Sequence, residues 1–183
     1  MTSKIFFIIG STLILFCFQK AYGQPSFEDP DSVIDQMYDV LSGSPGDHNW
    51  ELFQSLFHEK AIMGAAVTDE QGNQTYRSLT PEEYMERNDA FFRMRGFYVE
   101  EIHRTTAQFG DIMHLFSTYQ PRLDAEGSEQ PPGLQQQSGR GINSIQLIRD
   151  ANRWWIISIQ YTNERRDLPI PKQYGGQESG SSM

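Results

Sequence analysis

Apolar positions recur with a helical spacing in the first half of the chain and, beyond residue 96, with a spacing of two. Val33, Ile34, Met37, Tyr38 and Leu41 share one face of a predicted helix. It opens at Asp29-Pro30, an acceptor side chain followed by proline at the first helical position, and Gly43-Ser44-Pro45-Gly46 ends it. A second, short helix has Asp47 or Asn49 as its cap and Trp50, Phe53, Leu56 and Phe57 inward. Ala61 to Val67 then reads as a strand, Asp69 to Gln74 as a polar turn with Gly72-Asn73, and Tyr76 to Leu79 as a short returning strand. The sharpest local signal is Thr80-Pro81-Glu82-Glu83. The Thr80 hydroxyl can accept from the amide of Glu83 while the Glu83 carboxylate accepts from the amide of Thr80, so a third helix starts there. Tyr84, Asn88, Phe91, Phe92 and Arg95 fall on one side of it, and Gly96 closes it.

Where the period changes to two, Phe97 to Gln108 and Ile112 to Arg122 flank Phe109-Gly110-Asp111 as one long hairpin. A second hairpin pairs Arg140 to Arg149 with Arg153 to Thr162 across Asp150-Ala151-Asn152. Between them Leu123 to Gly139, rich in Glu, Gln, Pro and Gly, is expected to be a mobile loop at the sheet rim. The Gly/Ser-rich end, residues 175–183, is expected to be disordered.

The amino terminus has a different character. A lysine at position 4, an apolar run from Ile5 to Phe18 and the small-residue pattern Ala21-Tyr22-Gly23 read as a signal peptide cleaved after Gly23, and so as an exported protein, periplasmic or secreted. The run is too short to cross about 30 Å of hydrocarbon comfortably. Cys17 is the only cysteine; the bulky Phe16 before it disfavours lipidation, and cleavage removes all thiol chemistry. Residues 24–174 then form one domain whose stability must come from its core. The leader also takes Lys4 and Lys20 from 15 basic residues against 24 acidic ones, so the mature surface is strongly negative and repels nucleic acid and anionic lipid.

The order of helices, short strand pair and long hairpins resembles that of the nuclear transport factor 2-like (SnoaL-like) superfamily. The last hairpin carries the resemblance most specifically. Gly139-Arg140-Gly141-Ile142-Asn143-Ser144-Ile145-Gln146-Leu147, Arg153-Trp154-Trp155-Ile156-Ile157, Asn163-Glu164-Arg165 and Pro169-Ile170-Pro171 are similar to an exported bacterial branch of it. The resemblance implies an α+β fold, a cone-shaped barrel of a strongly bent antiparallel sheet wrapped around three N-terminal helices. It also implies a cavity in the cone and a homodimer packed through the sheets. The superfamily includes isomerases, dehydratases and cyclases, but also subunits that only bind, so no single reaction is inherited.

Strict alternation in the last strand puts Trp155, Ile157, Ile159 and Tyr161 on the cavity side, and puts Trp154, with Ser144 and Gln146 of the neighbouring strand, at the dimer contact. Asn143 lies on the face of Ile145 and Leu147 and Arg140 just before it at the strand entrance; such polar groups either hydrogen-bond each other or await a ligand, and with Trp155 and Tyr161 they are the expected ligand-binding set, Arg140 suited to a carboxylate or enolate. Glu100 and Glu101 point to opposite faces, so one of them is inward; His103 and Glu101 are the candidates for proton transfer and Tyr119 with Tyr161 for carbonyl polarisation, against the plainer reading of His103 as an exposed strand histidine near His114. Four histidines without short spacing, and no cysteine in the mature chain, argue against a metal centre, and nothing calls for a cofactor. Asn73-Gln74-Thr75 has the glycosylation acceptor pattern, and Glu164-Arg165-Arg166-Asp167 reads as a solvated charge cluster, with Glu164 within reach of the cone rim. Three readings stay open. They are a binder of a small, largely apolar or aromatic molecule, a cofactor-independent isomerase, dehydratase or cyclase, and a protein-interaction module.

Overall fold

In the computed structural model, which describes residues 27–68, 73–123 and 139–176, the three helix starts are capped as their sequences dictate. Asp29 accepts from the amide of Ser32 at 3.0 Å to open α1 (Pro30–Val40), and Asn49 accepts from the amide of Leu52 at 3.0 Å to open α2 (Trp50–Ser55). Both bonds of the Thr80–Glu83 capping box form, at 2.8 and 3.1 Å, and start α3 (Pro81–Met94). The strands are β1 (Phe57–Thr68), β2 (Gln74–Leu79), β3 (Phe97–Phe109), β4 (Ile112–Leu123), β5 (Gly141–Asp150) and β6 (Arg153–Asn163). Residues 1–26, 69–72, 124–138 and 177–183, on which the expected signal peptide and most of the expected polar turn, mobile loop and disordered tail fall, lie outside the described residues.

Tight turns set the registers of the two long hairpins. Gly110 takes φ +57° between β3 and β4, and Ala151 and Asn152 both take positive φ, 49° and 64°, between β5 and β6. Two left-handed central residues match the right-handed twist of paired strands, which a turn with negative φ would splay.

All six strands form one curled sheet in the order β2-β1-β6-β5-β4-β3. Two features depart from the expected antiparallel barrel. β1 pairs with β6 in parallel, because the chain leaves β1 through β2 and α3 and returns two hairpins later running the same way. The sheet is also not closed, since β2 and β3 are its edges and do not pair with each other. It is an open cone of mixed strands with helices in its concavity.

Two bulges decide which side chains face inward. Between Glu101 and His103 the β3–β4 register shifts, so Ile102 is the extra residue. Between Trp155 and Ser158, partners of Ile148 and Gln146, it shifts again at Ile157. Each bulge inverts the alternation of its strand beyond that point. The concave face of the three central strands is therefore built in four rungs: Met113–Leu147–Ile156, Leu115–Ile145–Ile159, Ser117–Asn143–Tyr161 and Tyr119–Gly141–Asn163.

The first two rungs pack against Val33, Ile34 and Met37 of α1, Phe53 of α2 and Leu56 at its C-cap, all nearly or fully buried. Each such aliphatic or aromatic side chain stabilises the fold by about 1.5–3 kcal/mol relative to exposure. Trp154 belongs to this core at 3 % exposure, and its amide donates to the carbonyl of Phe27 at 2.7 Å. The expected dimer contact through Trp154 is thus corrected: the Ile157 bulge turns its ring toward the helices. Ser144 and Gln146 do lie on the convex face, where Ser144 meets His114 Nε2 at 3.0 Å and Gln146 is exposed.

Beyond β6 the chain folds back over the convex face of β3 and β4. Ile170 is buried, Thr118 Oγ1 donates to the Tyr174 carbonyl at 2.7 Å, and the Phe116 and Tyr174 rings lie 5.0 Å apart. Gly175, at φ +80°, and Gly176, whose amide donates to Pro171, are hydrogen-bonded into this strap, two residues further than the sequence pattern leads one to expect.

Candidate functional site

Moving along the concave face from the first rung to the fourth, apolar side chains give way to hydroxyls, amides and phenols. The third rung is the transition. Ser117 and Tyr38 are buried, at 0 % and 6 % exposure, and their hydroxyls meet at 2.6 Å. Asn143 Nδ2 donates to the Tyr38 hydroxyl at 2.9 Å. Ser117 donates in turn to Glu101 through a very short bond. Glu101 is held from its other side by Arg104, whose Nε lies 3.0 and 2.9 Å from its two carboxylate oxygens and whose Nη2 lies 2.5 Å from one of them.

The Ile102 bulge makes this possible. Residues three apart on a regular strand face opposite ways, and the extra residue brings Glu101 and Arg104 to the same side. Arg104 also reaches Asp31 at 2.5 Å and Asp35 at 2.7 Å, tying β3 to α1. Burial opposes its charge, but hydrogen bonds to Glu101, Asp35 and Asp31 outweigh that and raise its pKa. Burial pushes the Tyr38 phenol up to about 12, so it is neutral at any physiological pH.

The fourth rung forms the mouth. Tyr119 lies across Gly141 and donates to Asn163 Oδ1 at 2.6 Å. A Cβ at Gly141 would come within 2.5 Å of the Tyr119 ring carbon Cζ, so only glycine lets the ring cross β5 there. Tyr161, 38 % exposed, stands beside it, and Tyr84 enters from α3. Burial raises the Tyr119 and Tyr84 phenols well above the usual range, and the neighbouring Tyr161 phenol raises both further. The mouth is thus lined by three phenols, of which burial keeps Tyr84 and Tyr119 protonated, and by the Asn163 amide.

Of the residues singled out from sequence, the structure brings Glu101, Tyr119, Asn143 and Tyr161 to the concave face and takes the others elsewhere. His103 is on the convex face, its Nε2 3.1 Å from the Gln173 carbonyl under the strap, so it is corrected as a base in the cone. It is also no neighbour of His114: His103 pairs with Thr118, and His114 with Ala107. Glu101 points inward, but both its oxygens are engaged, so it is a structural anion and not a poised base.

Arg140 is taken by Glu164, with Nε and Nη2 each 3.0 Å from a carboxylate oxygen, and Glu164 also accepts from the amide of Ile170. That pair fastens the start of β5 to the strap, so Arg140 is not an anion receptor in the cone. Glu164, expected in a solvated cluster, is partly buried in the same pair. Trp155 faces outward, with the Arg153 guanidinium 3.6 Å from its ring; it lines a separate cleft of about 550 Å³ with Phe57, His58, Glu82 and Asp150. Among the described residues, no group of three or more His, Cys, Asp or Glu side chains is arranged to hold a metal ion.

Sequence reasoning passed over Tyr38, Arg104, Ser117 and Asn163. Tyr38 sits in the apolar stripe of α1, and Ser117 and Asn163 look like ordinary strand residues. Their one legible signal was position beside inward apolar neighbours, where a polar group needs a partner.

No family model and no curated protein sequence matches the chain. Solved structures do. A nuclear transport factor 2-like protein of unknown function from Pseudomonas putida superposes with TM-score 0.50 over 77 % of this chain and 89 % of its own, at 11 % identity. The chain has the nuclear transport factor 2-like fold. A scytalone dehydratase candidate from Novosphingobium aromaticivorans gives TM-score 0.50 at 11 % identity, covering 74 % of this chain and 81 % of its own. A candidate calcium/calmodulin-dependent protein kinase II association domain from Xanthomonas campestris gives 0.53 at 13 %, covering 74 % and 86 %. At such identities the likeness is one of fold, and nuclear transport factor 2-like proteins with different assignments share it.

Proposed function

We propose that this is an exported protein that binds a small, largely apolar or aromatic molecule in the mouth of its nuclear transport factor 2-like cone. The observation that carries the reading is the group of Tyr84, Tyr119 and Tyr161 around the third and fourth rungs, with Tyr161 still 38 % exposed on a concave face. Phenol rings offer large flat apolar area at small conformational cost, and their hydroxyls orient a guest. The enzyme reading is the weaker one: the only inward carboxylate among the sequence candidates, Glu101, is saturated by Arg104 and Ser117, and His103 lies on the other side of the sheet. The likeness to a dehydratase candidate supports the cone, not the reaction.

Pairing of two copies through the convex face around Ser144 and Gln146 is part of the same proposal. Native mass spectrometry of the secreted protein, before and after denaturation, tests both. A stoichiometric small molecule lost on unfolding supports the binder, and a dimer mass supports the pairing. Protein that is free of adduct and takes up no aromatic probe refutes the binder.

A further inference from the structure

The polar groups of the cone are joined into chains whose proton direction is fixed. Glu101, clamped by Arg104, only accepts, so the Ser117 proton points to it. Ser117 can then only accept from Tyr38, whose proton is thereby committed across the 2.6 Å contact. Tyr38 in turn can only accept, so the group that Asn143 turns toward it must be the amide nitrogen, at 2.9 Å. Every proton in the chain runs from β5 toward Glu101 on β3, away from Tyr161 on β6. Asn143 is left with its carbonyl oxygen at the opposite end of its planar amide, half-buried on the rung of Tyr161.

The second chain runs the same way. Tyr119 gives its proton to Asn163 Oδ1 at 2.6 Å and keeps only acceptor capacity on its oxygen. The hydroxyls of Tyr84 and Tyr161 can serve in either sense and do not offset this bias.

We infer that the cone selects a neutral guest that donates a hydrogen bond, an aromatic alcohol or phenol, through Asn143 Oδ1 and the Tyr119 oxygen. The inference rests on the reading of the cone as a binding site and adds the chemical class of the guest. It works against anions, because two inward acceptors repel a carboxylate or enolate while the Arg140 cation is engaged by Glu164. A guest without a donor would leave both acceptors dry and unpaired, which is the costly case for a buried polar atom.

Three probes that share the naphthalene ring test it by calorimetric titration of the full mature chain at neutral pH: 2-naphthol, 2-methoxynaphthalene and 2-naphthoate. The structure predicts that 2-naphthol binds about tenfold more tightly than the ether, and that the carboxylate binds weakest. In Asn143→Leu, the naphthol and the ether are expected to bind within about twofold of each other. Ser117→Ala, which releases the Tyr38 proton and lets the Asn143 amide turn over, is expected to erase or reverse the preference; a merely structural effect would weaken all three probes alike. Equal binding of naphthol and ether to the wild-type chain, or tightest binding of the naphthoate, overturns the inference and leaves the cone as a binding site. Binding of none of the three removes the binding site itself.

Discussion

The two halves of the concave face are built from the same three strands and differ only in what each rung carries. In the closed half, Met113, Leu115, Ile145, Leu147, Ile156 and Ile159 meet the apolar stripe of α1 and are at most 4 % exposed. In the open half, Ser117, Asn143, Tyr161, Tyr119 and Asn163 occupy the equivalent places and leave Tyr161 accessible. The difference is one of permission. An apolar rung must be covered by helices to be stable, whereas a rung whose polar atoms satisfy one another can stay partly uncovered and hold a space. The closed half stabilises the fold, and under the proposed function the open half takes the guest.

Substitutions in the two halves should separate stability from binding. The largest effect is expected from Leu115→Ala in the closed half, which leaves a cavity among fully buried neighbours and costs about 2–5 kcal/mol in a denaturant melt, with probe affinity little changed while the fold survives. Next comes alkali. Tyr38 keeps its proton up to about pH 12 in the fold but loses it near pH 10 when unfolded. The unfolded chain therefore binds fewer protons in that window, and stability, full below pH 10, falls by about 2–3 kcal/mol as pH rises through 12. Tyr84 and Tyr119 shift in the same direction and steepen the loss. Thermal melts at stepped pH check this, and a flat profile above pH 10 would contradict the buried phenols.

Gly141→Ala is smaller, about 1–3 kcal/mol, because the new methyl group must displace the Tyr119 ring. It should also abolish probe binding, since the Tyr119–Asn163 bond is lost with it. Tyr161→Phe is the smallest, within about 0.5 kcal/mol for an exposed hydroxyl, yet it should still weaken binding of a hydroxylated probe. A large stability loss in that variant would mean that the mouth is core like the rest.

Much of the closed half was legible in the sequence, since it follows from periodicity. Val33, Ile34 and Met37 mark the helix face, the Thr80–Glu83 box marks a helix start, and Asp150-Ala151-Asn152 marks a hairpin. The site was legible only in part, and the reason lies at two residues. Ile102 and Ile157 are bulges, and a bulge has no signature in a run of strand-forming residues. Unbroken alternation places Trp155 inward and Trp154 outward; the Ile157 bulge reverses both while leaving Ile159 and Tyr161 as expected. The Ile102 bulge likewise sets Glu101 and Arg104 together, a pair that strand spacing forbids. The partners of Arg140 and His103 come from Glu164 and the strap, contacts that only the folded chain creates.

The most direct test of the cone as a binding site is an amide-resolved NMR titration of the chain from residue 24 onward with 2-naphthol. Binding in the cone predicts saturable shifts concentrated at residues 117–119, 141–143 and 161–163 and at Tyr84, with the Met113–Leu147–Ile156 rung unmoved. Shifts centred instead on the outer cleft of His58, Glu82 and Trp155, or no saturable shifts at all, would contradict it.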